Sequence, residues 1–321
     1  MIASELYVSG VLTDVMIGSR LNRANSLSSK LFPVVKVDQQ SGKYFEMPRG
    51  DAFRAQAQKR GDIQESAGMT MNIESKDAYT CEPYALHIDI GDYTYLRAGR
   101  TFDLDSAAAR LTGDNVWLKR EIEFLDKTFK TGKWSLDVTP SVKWDNPLAT
   151  IWKDIRTRMT DFKERNGGLA ANKIIFQERV WDAIQDNPDL MDRVKGGATT
   201  ANPAQVTQEN VARVLGLEEV VIADAVQTST NPGQPTQTVS FVSGEHALLV
   251  HTAKAPGIFV PSAGYTFVWN DPLLGGTGPE GERVVRMRLD TKRAWRIESE
   301  ANWDHRVLAP DLGVFFHDCL T

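Results

Sequence analysis

The sequence predicts an α+β fold, on three observations. Two long stretches carry apolar residues at helical spacing, one from about residue 103 to 130 and one running on from Pro147. Short strand-like segments precede the first of them. The C-terminal third alternates polar and apolar residues, as half-buried antiparallel strands do. At 321 residues the chain is long enough for one large or two interleaved domains, and 41% apolar residues place it with globular rather than disordered sequences.

The first 35 residues show no sustained period and end in a Ser/Asn/Lys cluster before Phe32 and Pro33, which predicts an arm rather than a domain. Val34 to Val37 and Tyr44 to Met47 are strand-like. Gln39-Gln40-Ser41-Gly42 between them has the spacing of a hairpin loop. Residues 49 to 77 carry Arg49, Asp51, Arg54, Lys59, Arg60, Asp62 and Glu65 with almost no large apolar side chain, so they bury no core of their own and must lie on something else. Thr80 to Ile90 returns to strand composition through Tyr84, Leu86 and Ile88.

The first helix has Leu118, Ile122, Leu125 and Phe129 on one face, with Gly113 as a point where it starts or kinks and Gly132 beyond its end. The second takes Asn146 as cap and Pro147 as first residue, with Leu148, Ile151, Trp152, Ile155, Met159 and Phe162 as its apolar stripe, stopped by Gly167 and Gly168. Strand Lys173 to Phe176, helices over Gln177–Gln185, Pro188–Lys195 and Gln208–Leu215, and strand Glu219 to Ala223 then form a mixed α/β layer. Residues 227 to 240 are polar and read as an exposed tip. Ala247–His251, Tyr265–Trp269, Val284–Leu289 and Arg293–Glu298 read as strands.

Composition excludes several classes of function. With 37 basic against 42 acidic residues the net charge of -5 leaves no basic excess for general nucleic-acid binding. Cys81 and Cys319, almost a chain length apart, make neither a disulfide framework nor a zinc set, and a reducing compartment follows. No apolar run approaches the ~20 residues of a membrane span, and the start of the chain lacks the basic region of a signal peptide. Gly276, Gly278 and Gly281 match a dinucleotide spacing, but Pro279 lies inside it and a strand follows where a helix is needed. The five histidines are scattered. Trp303-Asp304-His305-Arg306 reads as the polar face and ends of a strand rather than an acid-base pair, and most tryptophans, including Trp117, Trp152, Trp181 and Trp295, fall on apolar stripes. No catalytic, cofactor or metal residue is assigned.

The order of features, together with LFPVVKVDQQSGKYFEM leading into RGDAFRAQAQKRG, then YTCEPYALHIDI, WLKREIEFLDKTFKTGKW, WDNPLATIWKDI and GLAANKIIFQERVWDAIQDNPDLMDRVK, resembles the major capsid proteins of tailed double-stranded DNA phages, the HK97-like fold. The likeness runs over most of residues 25 to 320. It implies an N-terminal arm at 1–35, an extended E-loop at 36–95, a P-domain with a long spine helix at 96–145, an A-domain at 146–260 and a β-rich return to the P-domain at 261–321.

The resemblance further implies a structural protein, not an enzyme, that self-assembles into hexamers and pentamers of an icosahedral shell. That shell would enclose packaged double-stranded DNA without sequence-specific binding. Assembly in the host cytoplasm, a virion location, a separate scaffolding protein, a portal and a decoration protein belong to the same expectation, with no membrane partner. On the E-loop, Lys43, Tyr44, Phe45, Arg49, Arg54 and Arg60 are the expected subunit-interface residues, Lys43 also as a potential cross-linking lysine. The alternatives are an encapsulin-like nanocompartment shell and an α+β enzyme with an unrecognised site.

Overall fold

The computed structural model describes residues 7–21, 27–46, 57, 59–60, 62, 65–66, 74–99, 103–194, 206–228, 230, 234, 238–242, 244–257, 260–270 and 278–321. Among these the chain runs β1 (Tyr7–Val8), α1 (Gly10–Leu21), α2 (Leu27–Leu31), β2 (Val34–Val37), β3 (Ser41–Glu46), β4 (Glu74–Thr80), β5 (Glu82–Gly91), α3 (Asp92–Ala98) and α4 (Leu104–Thr128). It continues through β6 (Leu136–Val138), α5 (Ile151–Arg165), β7 (Lys173–Gln177), α6 (Glu178–Gln185), α7 (Pro188–Val194), α8 (Gln208–Leu215), β8 (Glu219–Ala223) and β9 (Val226–Thr228). It ends with β10 (Val239–Phe241), β11 (Ala247–Val250), β12 (Gly264–Trp269), β13 (Glu282–Leu289), β14 (Ala294–Val307) and β15 (Gly313–Phe316).

Two sheets carry the molecule. The first has the order β1-β13-β14-β12-β2, with β5 also paired to β14, and the second has the order β6-β15-β11-β7-β8. In the second sheet β7, β8, β11 and β15 are continuous apolar runs buried almost throughout, the pattern of strands covered on both faces. Helices α5, α6, α7 and α8 and the end of α4 pack their apolar residues into that core, with Ile151, Ile155, Phe162, Val180, Ile184, Leu190, Val211 and Leu215 buried. A separate core lies between α1 and α4 on one side and β5, β13 and β14 on the other.

The expected elements from Lys173 to Ala223 are all present, each within a residue or so of its expected bounds. Four others differ. Residues 10–21, inside the expected arm, form α1, which seals the first sheet with Leu12 and Met16 buried against α4. Its partners are α4 and β13, both distant in the sequence, and a period over so short a run does not reveal them. Gly113 does not start the helix; α4 runs through it, and a Cβ there would come 2.6 Å from Met16 Cγ, so glycine marks where α1 crosses. The buried face of α4 accordingly follows Ala109, Gly113, Val116, Arg120, Phe124 and Thr128, while Leu118 and Ile122 are only half-buried.

The second helix begins at Ile151, not Pro147, and Leu148 is 82% exposed. Asn146 Oδ1 accepts from Leu148 N–H in a turn, and the helix start is served from outside when the Asp189 carboxylate accepts the Trp152 N–H at 3.0 Å. The 34–47 hairpin does not form either. β2 runs parallel to β12 in the first sheet, and β3 pairs antiparallel with β4, so residues 38–40 cross from one sheet to another strand pair. Val35 and Val37 gain cover on the aromatic cluster that contains Phe267, which a solvent hairpin would not give them. Gly42 lies in β3, where a Cβ would sit 2.7 Å from Tyr79 Oη; it is there for close approach, not for a turn.

The polar tip is closed at its base by β9 pairing with β10, and residues 229, 231–233 and 235–237 within it lie outside the described set. At the C-terminus β14 runs on to Val307 and buries Trp303, Asp304 and His305 at 1%, 2% and 2% exposure. The reading of that run as the polar face and ends of a strand is therefore corrected: the β12 side and α4 enclose it. β15, which alternation does not reveal because its four residues are all buried, joins β11 in the second sheet.

Ile155 is fully buried among α5, the second sheet and its helices. Replacing it by Asp strands an unpaired charge there and should abolish soluble expression, whereas Ile155→Val should cost about 1 kcal/mol in a denaturant titration.

Candidate functional site

The root of the β3–β4 pair is cross-braced by polar groups from several elements. Asp304 on β14, its side chain 3% exposed, accepts from three elements at once. The Thr80 N–H at the end of β4 donates to Oδ2 at 2.9 Å, Lys127 Nζ on α4 to Oδ1 at 3.0 Å, and Arg306 Nε to Oδ2 at 2.7 Å. Lys127 also meets Glu123 at 2.7 Å, one turn back on α4, and Glu123 accepts from Trp303 Nε1 at 3.0 Å. Tyr84 of β5 stacks on Trp303 with ring centres 4.4 Å apart. Beside these groups is a cleft of about 250 Å³, lined by Thr80, Glu82, Glu123, Lys127, Asp304 and Arg306 among others.

The charges are mutually satisfied. Burial works against ionised Glu123, but hydrogen bonds from Lys127 and Tyr84 outweigh it and hold the carboxyl below its ordinary range. Burial likewise opposes charged Lys127, and the bonds to Glu123 and Asp304 outweigh that too and raise it. Cys81, fully buried next to Thr80, is pushed up to about 12 by burial and then by Asp304, so its thiol stays protonated. The paired Glu123, Lys127, Asp304 and Arg306 brace this root.

Above the brace an aromatic stack fixes the strand pair. Tyr79 lies on Phe267 with ring centres 4.6 Å apart, and Tyr44 stacks on the same ring at 5.9 Å. Tyr44, one of the expected interface residues, is 9% exposed and packs on a ring of its own chain. Lys43 is exposed on β3, next to a shift of register before Phe45, and Phe45 stands opposite Ser75 with its side chain outside the described set. Arg49 and Arg54 lie outside the described residues; Arg60 is exposed. The structure thus places Tyr44 beside the root and Lys43 and Arg60 at exposed positions. Sequence reasoning misses Asp304, Glu123 and Lys127 as functional positions, although the four-residue spacing of Glu123 and Lys127 is a visible signal.

The other chemical candidates resolve into structure. His305 sits with Nδ1 2.9 Å from Thr266 Oγ1 and its ring edge-on to Phe124. Arg120, fully buried, is matched by Glu280 at 2.7 Å and lies between the Trp117 and Trp303 rings. Gly278 and Gly281 lead directly into β13, and Gly276 lies outside the described residues. Among the described residues no three His, Cys, Asp or Glu side chains are placed to hold a metal, and no helix is long and apolar enough to cross a membrane.

His305 gives the stability a pH dependence. Burial, followed by the Arg120 and Lys127 charges, holds its imidazole well below the ordinary value, so the unfolded chain takes up a proton at about pH 6.5 and the folded one does not. Stability is therefore complete above about pH 6.5 and falls below it by up to ~1.4 kcal/mol per pH unit. His246, lowered by burial in the same sense, adds to the slope. His305→Asn should flatten Tm between about pH 5 and 7 relative to wild type; an equal slope in both would remove His305 from the account.

No family model matches the chain, and no curated protein matches its sequence. Solved structures do match. A phage-related protein from Bordetella bronchiseptica is 20% identical, with 98% of each chain covered and a TM-score of 0.74. The capsid of cyanophage P-SCSP1u is 9% identical over 89% of this chain and 85% of that one, with a TM-score of 0.57. The SrpI encapsulin from Synechococcus elongatus is 12% identical over 92% and 87%, with a TM-score of 0.51. An overlap that covers nearly the whole chain takes in both sheets, the long helix α4 and the outlying strand pair braced at its root: the chain has the HK97-like capsid fold.

Proposed function

We propose that the chain is a shell subunit, the major capsid protein of a tailed double-stranded DNA phage, acting structurally and not as an enzyme. The observation that carries this is the fold: an HK97-like capsid fold over nearly the whole chain, overlapping a phage-related protein over 98% of each chain and the capsid of a cyanophage over 89% of this one.

In this reading subunits associate as hexamers and pentamers of an icosahedral shell around packaged DNA, assembled in the host cytoplasm with a scaffolding protein, a portal and a decoration protein. Residues 36–95 serve as the E-loop, 96–145 as the P-domain with α4 as its spine, and 146–260 as the A-domain. Of residues 1–35, α1 belongs with the P-domain it covers. Of 261–321, β12, β13 and β14 return to the P-domain sheet, and β15 completes the A-domain sheet. Lys43, Tyr44, Phe45, Arg49, Arg54 and Arg60 are the interface residues of the reading, Tyr44 through the little of its ring that its own chain leaves exposed.

A nanocompartment shell is the second reading, favoured by the comparable overlap with the SrpI encapsulin. Both readings expect closed particles. Negative-stain microscopy with sedimentation of the protein, alone and beside a scaffold, should show shells or capsomer-sized rings. Nuclease-protected DNA in particles from the native source supports the capsid reading, a packaged protein supports the nanocompartment, and a monodisperse monomer under every condition overturns both.

A further inference from the structure

After β15 the chain turns through Asp318, whose backbone takes the left-handed conformation, φ 50°, that a non-glycine residue enters at a cost. Bonds to three separate stretches keep the turn in place. The His317 N–H donates to the Val138 carbonyl at 3.0 Å, the Cys319 N–H to the Glu245 carbonyl at 2.8 Å, and the Trp144 N–H to the Cys319 carbonyl at 2.7 Å. Lys143 Nζ donates to the Asp318 carbonyl, and the Thr321 N–H and hydroxyl reach the Asp145 carboxylate at 3.3 and 3.0 Å. Behind these bonds Cys319 is fully buried and Leu320 packs on the core of the second sheet.

One donor of the turn depends on a titrating acceptor. The Asp318 N–H donates to His246 Nδ1 at 3.2 Å, so that ring nitrogen must carry no proton. His317 beside it is under no such restriction: its Nδ1 lies 3.0 Å from Asp318 Oδ2 and its Nε2 2.9 Å from Thr139 Oγ1, and an imidazolium can donate to both. The charged and titratable groups around His246 are Asp318, His317 and Cys319 of the turn, Lys143 on the Asp318 carbonyl, Glu245 next to it in the chain, and Arg179 of α6 at 3.7 Å from Glu245. Burial, joined by His317, holds His246 below its ordinary value against the pull of Asp318 and Glu245. Opening the turn exposes an ordinary imidazole that takes up a proton at about pH 6.5, so opening becomes easier as pH falls below that, by up to roughly tenfold per pH unit.

We propose that His246 is an acid-operated latch: its protonation removes the acceptor of the Asp318 N–H and releases residues 318–321, with Cys319 and Leu320, while the two sheets stay folded. This is a local event, unlike proton uptake by His305, and it does not depend on the shell reading.

The two native thiols read the latch without a substitution, since Cys319 lies in the released segment and Cys81, equally buried, at the root of the β3–β4 pair. A pyridyl disulfide, which exchanges with thiols in mild acid, should modify Cys319 of the wild-type protein about threefold or more faster at about pH 5 than at about pH 7, each rate taken relative to the urea-unfolded chain at the same pH. Cys81, followed in the same samples by peptide mass spectrometry, should show no such rise. His246→Asn and His246→Gln each offer an amide oxygen that accepts without titrating, and either should hold Cys319 at its neutral rate; His317→Gln should keep the rise. A wild-type Cys319 rate that is flat with pH, an equal rise at both cysteines, a rise that persists in a folded His246→Asn or His246→Gln variant, or its loss in His317→Gln overturns the latch.

Discussion

β14 is the strand on which the rest of the first sheet depends. Its first ten residues hydrogen-bond to β5 on one side while its first eight bond to β13 on the other, and its last four bond to β12. A strand used on both edges and enclosed by α4 has to bury whatever its sequence places there. Here that includes Ser299, Asp304 and His305, and each has an assigned partner: Ser299 with Thr112 of α4, Asp304 with Lys127 and Thr80, His305 with Thr266. These polar residues are therefore specific. An apolar strand could slide by two residues and still find cover, but this one would leave a carboxylate and an imidazole without partners.

The same constraint explains α4. A helix laid over β14 must answer its polar groups, and the inward face of α4 is accordingly not a simple apolar stripe: it carries Thr112, Arg120 and Thr128 among Ala109, Val116 and Phe124. The helix propensity of the run is enough to give a helix of the expected length, while the choice of face is made by the sheet. Gly113 belongs to this logic as well, since α1 can reach β13, where Thr13 Oγ1 accepts from the Val284 N–H, only by crossing α4 closely.

Legibility in the sequence follows how local each cause is. The strands and helices from 173 to 223 are readable because a fully buried Ile-Ile-Phe or Val-Val-Ile run, capped helices and stop glycines are determined within a few residues. The register of β2 and β3 is not, because Val34–Val37 is equally at home in a hairpin and beside β12, and the choice depends on Phe267, more than two hundred residues on. Tyr44 looks like an interface residue for the same reason. An aromatic residue in a coreless stretch has no local partner, and only the fold supplies Phe267. Asp304 reads as strand surface because alternation gives the side of a strand but not whether that side is covered.

The brace and the aromatic stack together aim the β3–β4 pair before any neighbour arrives. Its root is tied to α4 and β14 through Asp304, and its base is closed by the Cys81 N–H donating to the Gln40 carbonyl at 2.8 Å and the Gln40 side-chain amide donating to the Cys81 carbonyl at 3.3 Å. Its direction is set by Tyr44 and Tyr79 on Phe267, with Gly42 letting the Tyr79 ring lie flat across β3. Ordering of this part is thus done within the chain, so in the proposed shell an association would lose correspondingly less conformational entropy. α3 obeys the same rule, being pinned by Asp92 on Arg288 and by Tyr95 on Asp105. In both places charged or aromatic anchors face inward and fix a backbone whose outward side is exposed among the described residues.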